Sequence, residues 1–126
     1  MSLRTPLGRV MGLGSAKDGT AHWWAQRLSA MALALLGLWF VGSLAGLDSA
    51  DYATARTFVA EPLNTVLLSL LFVTMSYHSY LGVQVVIEDY VHAAALKVAT
   101  LVVSRFAHVL VAAIAVYAIL RIGLGG

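Results

Sequence analysis

The sequence predicts an all-α membrane protein with three transmembrane helices, at about residues 28–47, 62–87 and 98–120. Three observations carry that prediction. Sixty per cent of the 126 residues are apolar and only 11% are charged, against about 45–50% and about 25% in soluble domains. Mean hydropathy is +0.85, more hydrocarbon than a soluble fold of this length can hide, because its surface fraction is large. The apolar residues also fall in three unbroken runs, each near the ~20 residues that cross a bilayer as a helix. They do not alternate as strands would, and a membrane sheet this short would have to close into a barrel.

The counts exclude several chemistries. Zero Cys removes disulfides, thiolate metal sites, Cys-ligated iron–sulfur clusters and c-type haem attachment in this chain. A formal charge of +2 is too small for nucleic-acid binding, and no Gly-rich dinucleotide loop is present. Four His make imidazole the only soft ligand on offer.

Taken in order, residues 1–27 form an N-side extension of a single domain covering 1–126. Arg4, Arg9 and Lys17 with no acid before Asp18 faintly resemble a mitochondrial presequence. The segment lacks amphipathic periodicity, and Gly12, Gly14 and Gly19 are poor helix formers, so an uncleaved extension is expected. The first span, from about Leu28 to Leu47, carries no charge and ends at Asp48-Ser49-Ala50-Asp51. Within it Gly42-x-x-x-Gly46, with Ser43 and Ala45, makes a small-residue face suited to close helix contact. Glu61-Pro62 opens the second span, with Pro well placed in a first helical turn. That span holds His78 and Gln84 and ends at Glu88-Asp89; Lys97 leads into the third, which Arg105 and His108 interrupt. Gly123 to Gly126 reads as a frayed tail.

Three spans put the termini on opposite sides. Arg4, Arg9, Lys17, Arg27 and Lys97 fall on the N-terminal side and only Arg56 and Arg121 on the other. Basic residues concentrate on the cytoplasmic face, so the N-terminus is expected inside and the C-terminus outside.

Polar residues within spans are costly and mark function by default. His78 lies inside the span, roughly 24 Å from its Pro62 end and ~14 Å from its Ile87 end at ~1.5 Å per residue. Gly82, four residues on, shares its face. An axial imidazole followed one turn later by a missing side chain suits a flat macrocycle; a neutral His hydrogen-bonded to a neighbouring helix is the alternative. An Nδ1–H donating to a backbone carbonyl one turn back, near Thr74, is expected to fix the ring. His108 is a second imidazole, but Arg105 one turn before it favours a structural, interhelical hydrogen-bonding role. Tyr90 and Asp89 sit at the N-side end of the second span, ~18 Å along the helix from His78. There a Tyr is either an interfacial anchor or, beside a carboxylate, a hydrogen-bond donor to a quinone carbonyl.

The run His78-Ser-Tyr-Leu-Gly82-Val-Gln-Val-Val-Ile-Glu-Asp89-Tyr90 resembles the His-x3-Gly-x6-Asp-Tyr signature of succinate dehydrogenase (complex II) hydrophobic membrane anchor subunits of SdhD type. The segment His22-Trp23-Trp24-Ala25-Gln26-Arg27-Leu28-Ser29-Ala30 is similar to α-proteobacterial members. The resemblance implies a membrane anchor of succinate:quinone oxidoreductase, itself non-catalytic, in the bacterial inner (cytoplasmic) membrane rather than the mitochondrial one. It implies that His78 supplies one axial ligand to the iron of haem b, shared with a second anchor subunit of cytochrome b556 type. It also implies that Arg27 lies near the haem propionates, that Tyr90 hydrogen-bonds ubiquinone, and that Asp89 borders that site. The implied partners are that second anchor, an iron–sulfur subunit, a flavoprotein subunit and the bilayer. Three rivals remain: a self-contained cytochrome b using His78 and His108 together, a fumarate reductase anchor, and a haem-free membrane adaptor.

Overall fold

A computed structural model describes residues 18–125 as four helices: α1 (Asp18–Ala45), α2 (Tyr52–Ala60), α3 (Pro62–Tyr90) and α4 (Ala94–Gly123). The expectations placed on Arg4, Arg9 and Lys17 lie outside the described residues. Three of the helices are long and apolar enough to cross a membrane, at Thr20–Ala45, Pro62–Tyr90 and Ala94–Gly123. The all-α, three-span class therefore holds, with corrections at the ends. α1 begins at Asp18 rather than near Leu28, so residues 18–27 of the expected extension are its first turns. The backbone is helical before the apolar run begins, because a stretch holding His22, Trp23, Trp24 and Gln26 is as compatible with helix as with loop. α3 and α4 likewise run a turn or so past the apolar limits.

α2 was not foreseen. Its start is set by Asp51, whose Oδ1 accepts the Thr54 N–H at 2.8 Å while Ser49 Oγ donates to Oδ2 at 2.7 Å. The Thr54 amide, then the Ser49 hydroxyl, hold the Asp51 carboxyl below its ordinary 3.8. The helix ends at Glu61, in extended geometry (φ −61°, ψ 125°), which lets Pro62 begin α3. Its terminal carbonyls are not left open: Asn64 Nδ2 donates to Phe58 O at 2.9 Å and Thr65 Oγ1 to Val59 O at 2.6 Å. Trp39 of α1 stacks on Phe58 with centroids 6.2 Å apart.

α3 is the centre of the bundle. Both α1 and α4 pack along it; among the described residues the α1 and α4 backbones stay more than 8 Å apart, and Ala21, His22 and Ala25 of α1 line one cavity with Leu101, Val102 and Arg105 of α4. The buried apolar residues are few, namely Leu68, Leu71, Leu81 and Ile119. Small polar groups serve as contacts instead: buried Ser76 donates Oγ–H to the His108 carbonyl at 2.7 Å across α3 and α4. At the far end of that pair a Cβ built on Gly123 would stand 2.5 Å from Thr65 Oγ1 and Cγ2. Gly123 is thus a close-packing residue of α4, not part of a frayed tail. The Gly42/Gly46 face makes no such approach: a Cβ on Gly42 meets nothing within 4 Å, and one on Gly46 meets only backbone of its own helix. Long rows of α1 and α4 side chains, Leu35, Leu38, Phe106 and Ile114 among them, remain exposed in the isolated chain.

Candidate functional site

The site forms where the first half of α1 crosses the second half of α3. His78 is half-buried there, and both ring nitrogens meet α1. Nδ1 lies 2.9 Å from the Oγ of Ser29, which is only 6% exposed. Ser29 Oγ donates its proton to the Gln26 carbonyl at 3.1 Å, and Gln26 Nε2 lies 3.4 Å from His78 Nε2. The partner of Nδ1 is therefore the Ser29 hydroxyl of another helix and not a carbonyl near Thr74.

Beside the ring is a cavity of about 720 Å³, lined by His22, Trp23, Gln26, Arg27 and Ala30 of α1 and by His78, Gly82 and Val85 of α3. That volume is in the range of ~300–1,000 Å³ typical of cofactor and ligand sites. Gly82 keeps its side open: an added Cβ would meet nothing closer than Gln26 Nε2 at 3.8 Å. Arg27 sits at the N-side rim with its Cζ 5.4 Å from the Trp23 ring centroid. Two buried atoms on the cavity residues, His22 Nε2 and Gln26 Oε1, have no hydrogen-bond partner. Unsatisfied buried polar groups are rare and expensive; here they line the same space as a cation and a ligand-type nitrogen. An iron macrocycle with acidic arms fits this site, since it offers a metal to the imidazole, a flat edge to Gly82 and carboxylates to Arg27. A metal held by protein side chains alone does not fit, because no cluster of three His, Asp or Glu occurs among the described residues.

The structure brings His78, Gly82 and Arg27 together and leaves Asp89 and Tyr90 apart from them. Tyr90 is the last residue of α3, 80% exposed, and lines neither this cavity nor its neighbours. The turn beside it is held by Gln84 Nε2 donating to Glu88 Oε1 and Lys97 Nζ donating to Glu88 O, both at 2.8 Å.

His108 belongs to the opposite side of α3. Its Nδ1 lies 2.7 Å from the Ser104 carbonyl and its Nε2 3.2 Å from Ser79 Oγ, so both nitrogens are used within the α3–α4 pair. It lines different cavities from His78, and Arg105 is held with its Cζ 5.6 Å from the Tyr80 ring centroid. Nothing in this arrangement lets His78 and His108 share one iron.

Residues 1–120 match the family described as succinate dehydrogenase/fumarate reductase transmembrane subunit. The succinate dehydrogenase hydrophobic membrane anchor subunit of Paracoccus denitrificans is 32% identical over 96% of this chain and 93% of its own length. The chain belongs to this family. The corresponding Rickettsia bellii anchor is 35% identical over 70% of each chain, and the Reclinomonas americana membrane anchor subunit 28% identical over 71% of this chain and 77% of its own. Membership agrees with the anchor type expected from the His78–Tyr90 run and makes the chain a multi-pass protein of the bacterial inner membrane. In a succinate dehydrogenase anchor the residues that the sequence did not single out individually are Ser29, Gln26 and His22. The available signal was a hydroxyl and an amide placed three residues apart where an uncharged span begins.

Proposed function

We propose that this anchor subunit holds one axial position of haem b in succinate:quinone oxidoreductase through His78 Nε2 and forms one wall of the ubiquinone site at Tyr90. The observation that supports this reading is the state of His78: Nδ1 is held by Ser29, Nε2 has only a long 3.4 Å contact to Gln26, and the residue lines a cavity with Gly82. Haem b bound there would supply a one-electron store between the soluble subunits and quinone. This chain's own residues do the holding. His78 donates its Nε2 lone pair; Gly82 leaves the ring edge its space; Arg27 offers positive and hydrogen-bonding character to propionates.

The second axial ligand comes in this reading from the cytochrome b556-type partner, which covers the exposed apolar rows of α1. The N-terminus lies inside, so Tyr90, Asp89 and the Glu88–Lys97 turn face the iron–sulfur and flavoprotein subunits. A quinone tail then stays in lipid while the Tyr90 hydroxyl donates to a carbonyl oxygen, and Asp89, about 100° round the helix, orients the surroundings. Succinate itself is oxidised in the flavoprotein.

The test is the purified complex, its subunit list and its reduced-minus-oxidised spectrum. The wild type is expected to carry b-type haem with four kinds of subunit, and His78→Ala to lose or strongly perturb the haem bands. A wild-type spectrum in that variant overturns the assignment.

A further inference from the structure

We infer that Ser29 of α1 is a positioning residue for the axial histidine: its hydroxyl accepts the Nδ1 proton of His78, fixes the imidazole as the tautomer that presents Nε2, and sets how strongly that nitrogen donates to iron. This rests on the haem reading above and goes beyond it, because the control of the ligand is assigned to a different helix from the one that carries the ligand.

Two separate pieces of hydrogen-bond logic lead to the same tautomer. A Ser hydroxyl has one proton, and that of Ser29 goes to the Gln26 carbonyl at 3.1 Å. With that proton on the carbonyl, the oxygen offers lone pairs toward Nδ1, 2.9 Å away, which favours the tautomer protonated at Nδ1. From the other side, the Gln26 amide nitrogen stands 3.4 Å from Nε2 and, as a donor, favours the same tautomer, with the lone pair on Nε2. Both partners come from one turn of α1, and Ser29 is among the most buried polar residues of the chain. Water is thus kept from competing for Nδ1. A ligating His whose other nitrogen donates to an acceptor becomes a stronger electron donor. Stronger donation favours the more highly charged iron, so the Ser29 acceptor lowers the reduction potential of the site. The Gln26 amide holds the Nε2 position only until a metal takes it, and its unpartnered Oε1 shows that this side chain is not locked by other bonds.

The experiment uses the whole complex with Ser29→Ala, Ser29→Cys, Ser29→Thr and His78→Ala, read by haem content, redox titration and the low-spin ferric electron paramagnetic resonance spectrum. Ser29→Ala is expected to keep haem, raise the midpoint potential and move the largest g value. Ser29→Thr retains the hydroxyl and should restore both readouts. Ser29→Cys, with a weaker acceptor of similar size, should give a shift in the same direction, and it decides the matter if the Ala variant fails to assemble. Unchanged potential and g values in Ser29→Ala or, failing assembly, in Ser29→Cys overturn the inference and leave Ser29 as a packing residue. His78→Ala separates the two ideas: if it keeps the native spectrum the haem reading fails, whereas a lost spectrum alongside silent Ser29 variants sinks only the positioning role.

Discussion

The two faces of α3 each hold a mid-membrane histidine, and they treat it in opposite ways. Toward α4, His108 has both nitrogens engaged by Ser104 and Ser79, and its carbonyl takes the Ser76 proton. Toward α1, His78 has one firm partner, Ser29, and one long contact to a side chain that is itself incompletely bonded. The α3–α4 face also closes to backbone distance at Gly123, while the α1–α3 face leaves about 720 Å³ open beside Gly82. An imidazole in a membrane helix is not informative until both its nitrogens are accounted for. The saturated one serves the helix contact; the half-saturated one keeps a nitrogen for a ligand to take.

The sharpest way to break that contrast is to remove each ring in turn. His78→Ala should abolish the b-type spectrum, whereas His108→Ala should leave the band positions in place and cost only stability, about 1–2 kcal/mol at the upper end of what interhelical hydrogen bonds contribute in membranes. Equal spectral loss in both would return the pair to a single shared iron.

Next in size is a residue outside both faces. Tyr90→Phe keeps the interfacial ring and removes the donor, so succinate-to-quinone turnover should fall roughly ten- to a hundredfold, the scale of losing an oxyanion-type hydrogen bond or slightly less. Succinate oxidation with an artificial acceptor and the haem spectrum should both survive. Normal quinone turnover would reduce Tyr90 to an anchor in the interface.

Gly123→Ala probes the closed face. The new methyl would strike Thr65, which is buried and cannot rotate away without giving up its bonds to the Val59 and Glu61 carbonyls. The expected loss is about 1–3 kcal/mol, as for other overpacked contacts, seen as a lower unfolding midpoint in mild detergent with an unaltered haem spectrum. The same change at Gly42 meets open space and should be silent in the isolated chain.

A smaller, directional effect is expected at the rim of the open face. Arg27→Leu removes the cation nearest the cavity, and an uncompensated propionate favours the oxidised iron, so the midpoint potential should fall. That is opposite in sign to Ser29→Ala, and no movement would make Arg27 a snorkelling anchor on Trp23.

The smallest effect lies outside the membrane. The Asp51 carboxyl titrates below its ordinary 3.8 because the Thr54 amide and Ser49 hydroxyl favour its charged form. Its contribution to α2 is therefore complete above the unfolded value and lost as pH falls through the lower folded one. Hydrogen-exchange protection of the Thr54 amide should decline in that acid range, and Asp51→Ala should show the low level at neutral pH.

The spans were legible because a bilayer demands a length of apolar residues that little else requires, and Pro62 marked the start of α3. The helix ends were not, since Asp18 to Arg27 have no apolar run and yet continue α1. α2 escaped because nine residues capped by Asp51 carry no span-length signal. In the site, His78 and Gly82 stood out as a local i, i+4 pair. Ser29 and Gln26 did not, because they meet His78 from 49 and 52 residues away; spacing within α3 pointed instead to Thr74, on the wrong helix. The separation of His108 from His78 likewise depends on which face of α3 each neighbour occupies, and a linear pattern does not contain that.

Because the α1 backbone approaches α3 and not α4, the order of synthesis has a consequence. Every residue around the His78 cavity has been synthesised once α3 is made, and the contact between Gly123 and Thr65 waits for the last turn of α4. A growing chain can thus bring α1 and α3 together around that cavity before α4 is complete. The late closure at Gly123 then fixes α3 against α4 at Thr65, away from the residues that line the cavity.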